Sequence, residues 1–279
     1  MNQFKARLAS EDAVLVSVDA SQGSVPREAG AWMAVFAHGF VGTVGGGQLE
    51  LRAIGEARRR LAGASGDAVV RYPLGPSLGQ CCGGVVHLRF EQVGAADAPS
   101  LAARLAPQRI PVALFGGGHV GRALVAALGL LPFAVRWIDS RDEIFPESLP
   151  DNAECEHSDP VQAAVADLVA GTHVLIMSFS HAEDLDIVAA CLKRQRERSD
   201  LPFIGLIGSK TKWATFRHRL EQRSFSKQEL AQVTCPIGLA DIKGKQPEVI
   251  AVSVAAQMLQ LRAWETQPPP QPQPQPPKK

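Results

Sequence analysis

The sequence predicts an α/β protein in two parts, a small N-terminal α+β domain followed by a C-terminal Rossmann-like, doubly wound parallel sheet. Three observations carry this. The Ala- and Pro-rich stretch "AADAPSLAARLAPQ" separates two differently patterned regions. Before it, short strand-like runs alternate with glycine-rich turns, and after it, apolar runs lead one by one into helical stretches. The first of those later runs enters its helix through a glycine turn. The expected boundaries are 1–94 for the first domain, 95–109 for a linker, 110–265 for the second domain and 266–279 for a disordered Pro/Gln tail.

In the first domain, Val14, Val16 and Val18 alternate with Leu15, Ser17 and Asp19, the period-two pattern of a half-buried strand. "WMAVFA", the turn "HGF" and "VGTV" continue a meander. "GQLELRAIGEARRRLAG" repeats Leu49, Ala53, Ala57 and Leu61 every fourth position, as a helix packed on a sheet would. "AVVRYPL" and "GVVHLRF" are two more strands, and "GQCCGG" lies between them. Cys81 and Cys82 do not suit a mutual disulfide, because consecutive Cα atoms lie about 3.8 Å apart and a disulfide wants about 4.4–6.8 Å. Flanked by glycines, a thiolate here is open to close approach and to stabilisation by backbone N–H groups, as a nucleophile or a soft metal ligand requires. Small residues filling a tight loop are the plainer alternative. In "GSVPREAG" and "GTVGGGQLE", Gly45, Gly46 and Gly47 let backbone approach a bulky ligand, and Arg27 offers a fork for an anionic group.

In the second domain, "PVALFGGGHVGRALVAALGLL" reads as strand, glycine turn and helix, and "FAVRWIDSR", "HVLIMS" and "LPFIGLIG" read as further strands. Gly116, Gly118 and Gly121 fit G-x-G-x-x-G, and Asp139 follows Gly116 by 23 positions at the end of the next strand. The helix expected to start near His119 offers its positive end to a phosphate, and His119 itself is placed to contact a ligand or to pack on the sheet end. Asp139 suits ribose hydroxyls, while Arg141 suits a phosphate, so the residues leave the cofactor open. In "SFSHAEDLD", Ser180 and Glu183 fit a capping box, which leaves His181 and Asp184 as candidates for the crevice at the carboxyl ends of the strands. Ser209 and Lys210 hold the equivalent place after the next strand. Cys155 is expected to be a loop thiol and Cys191 a core residue, and neither has the paired spacing of structural zinc.

The chain has 29 basic and 28 acidic side chains, so no broad positive field favours nucleic acid. Five cysteines, an odd number, and no apolar signal segment near the start lead to the expectation of a reducing, cytoplasmic setting. No run approaches the roughly 18 apolar residues of a membrane span.

Taken in order, "GSVPREAG", "GTVGGGQLE", "GQCCGG", "LFGGGHVGRALV", "SHAEDLD", "FIGLIGSKTK" and "CPIGLADIKGKQPEVIAVSVAAQ" resemble the XdhC/CoxI family, from about Ser21 to Leu261. The resemblance implies a chaperone for the molybdopterin-type molybdenum cofactor rather than a catalyst. Its implied partners are the molybdenum subunit of xanthine dehydrogenase, a cysteine desulfurase that supplies sulfur, and proteins of molybdenum cofactor biosynthesis. Purine catabolism is the implied context. The sequence suits that task chemically, since a soft thiolate at Cys81 or Cys82 is of the kind that contacts molybdenum. Many relatives carry a cysteine where this chain has Gln48, so a thiol from that loop does not carry over. An NAD(P)-dependent oxidoreductase is the alternative; it accounts for Gly116 to Asp139 but leaves "GQCCGG" without a purpose. A pure interaction scaffold is a third. Exposed strand edges in the small sheet lead to the expectation of a homodimer.

Overall fold

A computed structural model describes residues 2–75 and 83–266. The chain divides into two compact units, the first ending at Pro107 and the second beginning at Gln108. The Pro/Gln tail beyond Thr266 lies outside the described residues.

The first unit opens with α1 (Asn2–Leu8) and a central strand, β1 (Ala13–Gln22). Strands β2 (Trp32–Phe36) and β3 (Phe40–Gly42) follow, then α2 (Gly47–Leu61), β4 (Val69–Pro73), β5 (Val85–Val93) and α3 (Ala98–Arg104). The sheet is antiparallel in the order β3-β2-β1-β5-β4. Val14, Val16 and Val18 pack with Leu49, Ala53 and Ala57 of α2, the face the helical spacing predicts. Leu15 does not face water, as simple alternation would have it. It is wholly buried in a second cluster with Phe4 and Leu8 of α1 and Leu101 of α3, because helices cover both faces of this part of the sheet. The segment expected as a linker therefore contributes α3 to the first unit, anchored by Leu101.

The second unit is a six-stranded parallel sheet. Its strands are β6 (Ile110–Phe115), β7 (Phe133–Asp139), β8 (Ala153–His157), β9 (His173–Ile176), β10 (Phe203–Leu206) and β11 (Val233–Thr234). The order is β11-β10-β9-β6-β7-β8, so the chain winds outward from β6 to β8, returns to β9 beside β6, and winds out the other way. Between them come α4 (His119–Leu128), α5 (His181–Arg198), α6 (Lys210–Gln222) and α7 (Lys227–Leu230), with α8 (Pro247–Thr266) last. Alternate residues of β6 serve opposite cores. Val112 and Leu114 join Leu124 of α4 and Met258 of α8, while Ala113 and Phe115 join Val188 of α5 and Phe216 of α6. The sheet is doubly wound, and the strand order reverses between β6 and β9, the place where such sheets open a crevice at their carboxyl ends.

Cys155 is not in a loop. It lies in β8 opposite Trp137, partly buried, and burial pushes its thiol upward. Cys191 is a core residue of α5, its thiol pushed up to about 12 by burial. Among the described residues no helix is long and apolar enough to cross a membrane.

Candidate functional site

The three glycines of the G-x-G-x-x-G motif after β6, Gly116, Gly118 and Gly121, have different reasons to be glycine. Gly116 has φ +124°, and a Cβ on it would sit 2.0 Å from the carbonyl oxygen of Met177 on the neighbouring strand connection. A Cβ on Gly121 would sit 2.0 Å from the carbonyl oxygen of Gly116. Both are demanded by packing. Gly118 is not: its φ is −69°, and a Cβ there would meet nothing within 4 Å. Gly118 is the N-cap of α4, which has no side-chain cap and no acidic residue in its first turn. The first amides of a helix have no partner inside it and carry its partial positive charge, so this end presents bare N–H groups beside an open approach. His119, the first helical residue, is exposed.

The turn is held firmly from behind. Trp137 Nε1 donates to Gly116 O at 2.9 Å, and the Arg122 Nη2 donates to Ile144 O at 2.7 Å. The Gly117 N–H donates to Asp139 Oδ2 at 2.6 Å. Asp139 is 2% exposed and fully engaged, because Arg141 supplies its backbone N–H at 2.9 Å and two guanidinium bonds at 2.9 and 3.0 Å. Burial works to raise the Asp139 carboxyl, but the Arg141 guanidinium and the Gly117 and Arg141 N–H groups outweigh it and hold it below the ordinary value. Asp139 is thus a brace for the turn, with Arg141 standing in front of it.

Across the crevice, Ser180 caps α5 by accepting the Glu183 N–H at 3.2 Å. Asp184, one residue on, is 2% exposed and accepts from the Ser178 N–H and hydroxyl, each at 2.8 Å. Its second oxygen takes Lys212 Nζ at 2.6 Å, which also donates to Ile207 O at 2.9 Å. Ser178 lies against the glycine turn, its Cα 3.1 Å from where a Cβ on Gly116 would be. Lys210 is exposed, and Ser209 serves as the cap of α6, accepting the Lys212 N–H at 3.1 Å. His181 is exposed, its ring edge-on to Phe216. The inward lysine is therefore Lys212, two positions beyond the one the sequence singles out. A cavity of about 390 Å³, lined by Arg109, Asn152 and Glu154, lies at the amino ends of the strands, away from these groups.

In the first unit, the loop before α2 is organised by a residue that the sequence reading passes over. One oxygen of Glu50 accepts from the Thr43 hydroxyl, the Val44 N–H at 3.1 Å and the Gly46 N–H at 3.2 Å. Gly45, Gly46 and Gly47 all have positive φ, and a Cβ on Gly45 would lie 2.5 Å from Pro26, so this loop packs on "GSVPREAG". Arg27 is exposed and makes no ion pair among the described residues, and Gln48 is exposed. A Cβ on Gly84 would lie 2.4 Å from Ser24 O, which brings the near flank of the cysteine segment to the same loop. Cys81 and Cys82 lie outside the described residues. Among the described residues no group of three or more His, Cys, Asp and Glu is arranged to hold a metal.

The chain is 27% identical over 256 residues to an Escherichia coli K12 protein, the uncharacterized protein YqeB, matching 87% of this chain and 42% of YqeB. It thus spans less than half the length of that relative. A crystal structure of a xanthine dehydrogenase from Bacillus halodurans superimposes with a TM-score of 0.74 at 20% identity, covering 95% of this chain and 96% of that one, which shows a shared fold. Residues 6–73 match the XdhC and CoxI family, and residues 112–258, more than half of the chain, match the XdhC Rossmann domain. The glycine turn, the reversal of strand order and the glycine loop before α2 lie within these matches, and the chain belongs to the XdhC and CoxI family.

Proposed function

We propose that this chain serves the maturation of a xanthine dehydrogenase: it binds the molybdopterin-type molybdenum cofactor, holds it while a cysteine desulfurase supplies sulfur for an oxo ligand, and delivers it to the apoenzyme. Family membership supports the role. The observation that carries the binding step is the bare glycine at Gly118, an N-cap that neither backbone nor packing requires, beside the uncapped amides of α4. An anionic group on a small ligand fits that place. In the second unit the Gly118 and His119 amides would hold an anionic group of the ligand. In the first unit, taken by itself, Arg27, the Gly45 to Gly47 loop and a thiol of Cys81 or Cys82 are the candidate ligand contacts. When bound, the cofactor supplies the molybdenum chemistry, and the chain supplies shelter and orientation. The nicotinamide alternative is weakened by Asp139, whose oxygens are already taken by Gly117 and Arg141 and so are closed to ribose hydroxyls.

The test is loading. The purified chain, incubated anaerobically with molybdenum cofactor and re-isolated by gel filtration, should release the fluorescence of oxidised pterin. The C81S/C82S double variant should keep its far-UV spectrum and lose most of that signal. A wild-type chain that emerges without pterin, or that takes up NADP instead, overturns the proposal; a double variant that loads fully removes the thiols from it.

A further inference from the structure

Phe179 is a large apolar ring left 66% exposed. A solitary exposed apolar residue usually calls for no explanation. Three features set this one apart. It stands just past β9, the strand beside β6 where the strand order reverses, so it faces the end of the sheet at which α/β folds take ligands. It is fixed in place: its N–H donates to Glu183 Oε2 at 3.2 Å, and Glu183 Oε1 accepts from the Ser140 hydroxyl at 2.7 Å. Its ring is backed by the Arg141 guanidinium, 4.4 Å from the centroid. Arg141 is itself held by Asp139 through bonds of 2.9 and 3.0 Å, so the cation does not need a ligand to stay where it is.

We infer that Phe179, backed by Arg141, is the stacking platform for a planar heteroaromatic ring, a pterin or a purine base, in the ligand of the second unit. The inference deepens the proposed function and rests on its reading that this end of the sheet takes a phosphate-bearing cofactor. With the guanidinium over one face, the other face is open to solvent and suited to offset stacking. The platform is joined to the glycine turn by consecutive contacts: Gly117 N to Asp139 at 2.6 Å, Asp139 to Arg141, and Arg141 to the ring. A ring on Phe179 and a phosphate near Gly118 therefore lie within the reach of one small ligand. The loop and its partners are already tied by hydrogen bonds within the chain, so stacking need not organise them.

The experiment uses the full chain and three calorimetric probes: GMP, neopterin monophosphate and inorganic pyrophosphate, which has no ring. Wild type should bind at least one ring-bearing probe more tightly than pyrophosphate. F179A should weaken that probe about tenfold or more, leave pyrophosphate within about twofold, and keep its far-UV spectrum; F179W should retain ring binding. Equal affinity of F179A and wild type for both ring probes overturns the platform, as does a wild type that does not prefer a ring to pyrophosphate. If GMP alone binds and is lost in F179A, the platform stands and the pterin assignment of the proposed function falls. If molybdenum cofactor loads equally on wild type and F179A, the proposed function stands and the platform falls.

Discussion

Replacing Gly118 with serine should make the second unit more stable and a poorer binder. The N-cap has φ −69° and ψ −174°, an extended conformation that serine adopts freely, and its new Cβ would meet nothing within 4 Å. The hydroxyl supplies the cap that α4 lacks, worth a few tenths of a kcal/mol over glycine, and the loss of glycine's freedom in the unfolded chain adds about 0.4–1 kcal/mol. For a unit of this size each kcal/mol moves Tm by about 2–4 °C, so G118S should melt about 1–6 °C higher. The same hydroxyl occupies the amides that an anion would use, and losing charge-assisted hydrogen bonds should weaken pyrophosphate binding about tenfold or more. G116A is the control in the other direction. Its side chain would meet Met177 O at 2.0 Å from a backbone with φ +124°, and overpacking together with backbone strain should cost about 2–5 kcal/mol. Scanning calorimetry and titration calorimetry on the same preparations read both effects. A G118S chain that melts several degrees lower refutes the open-space argument, and one that binds pyrophosphate as tightly as wild type places the anion elsewhere.

Two further substitutions test the braces behind the site. K212M removes the cation from Asp184, whose side chain is 3% exposed, and should cost about 3–5 kcal/mol in thermal melts, with K212M/D184N recovering most of it because the amide still accepts from Ser178; wild-type melting of K212M would show that the pair does not hold the crevice. The Asp139 carboxyl is held below its ordinary value of 3.8, so the stability it contributes is complete above that pH and is lost as pH falls through the folded-state value. The Tm difference between wild type and D139N should be constant from about pH 5 to 7 and shrink as pH falls below about 4; a gap that persists to pH 2.5 contradicts the assignment.

β6, β7, β9 and β10 were readable because each is a short, mostly apolar run leading into a turn, and because Gly116, Gly121 and Asp139 occupy places where geometry tolerates little else. β8 and β11 escaped notice for physical reasons. β8, with the sequence "AECEH", is an edge strand whose outer side needs no apolar pattern, and β11 is two residues long. The valine alternation in β1 was real, but it located one core only, since Leu15 is buried by α1 and α3, elements that carry weak signals of their own. The site was less legible than the fold. "GSKTK" does not tell Lys210 from Lys212, because the choice is made by Asp184, 28 positions away in sequence. Glu50 left a clue, an acid in the first turn of a helix entered through glycines, whereas Phe179 left none: its significance comes from Arg141, on another strand's connection.

The grip of Glu50 on the loop before α2 changes what three consecutive glycines mean. Such a run suggests a slack segment that stiffens only around a guest. Here a single carboxylate oxygen gathers Thr43, Val44 and Gly46 and belongs to the helix that the loop enters, so loop and helix move as one piece. The glycines supply shape, not softness. The contour of this backbone is set by hydrogen bonds within the chain, so a guest docking there would cost little freedom on the protein's side.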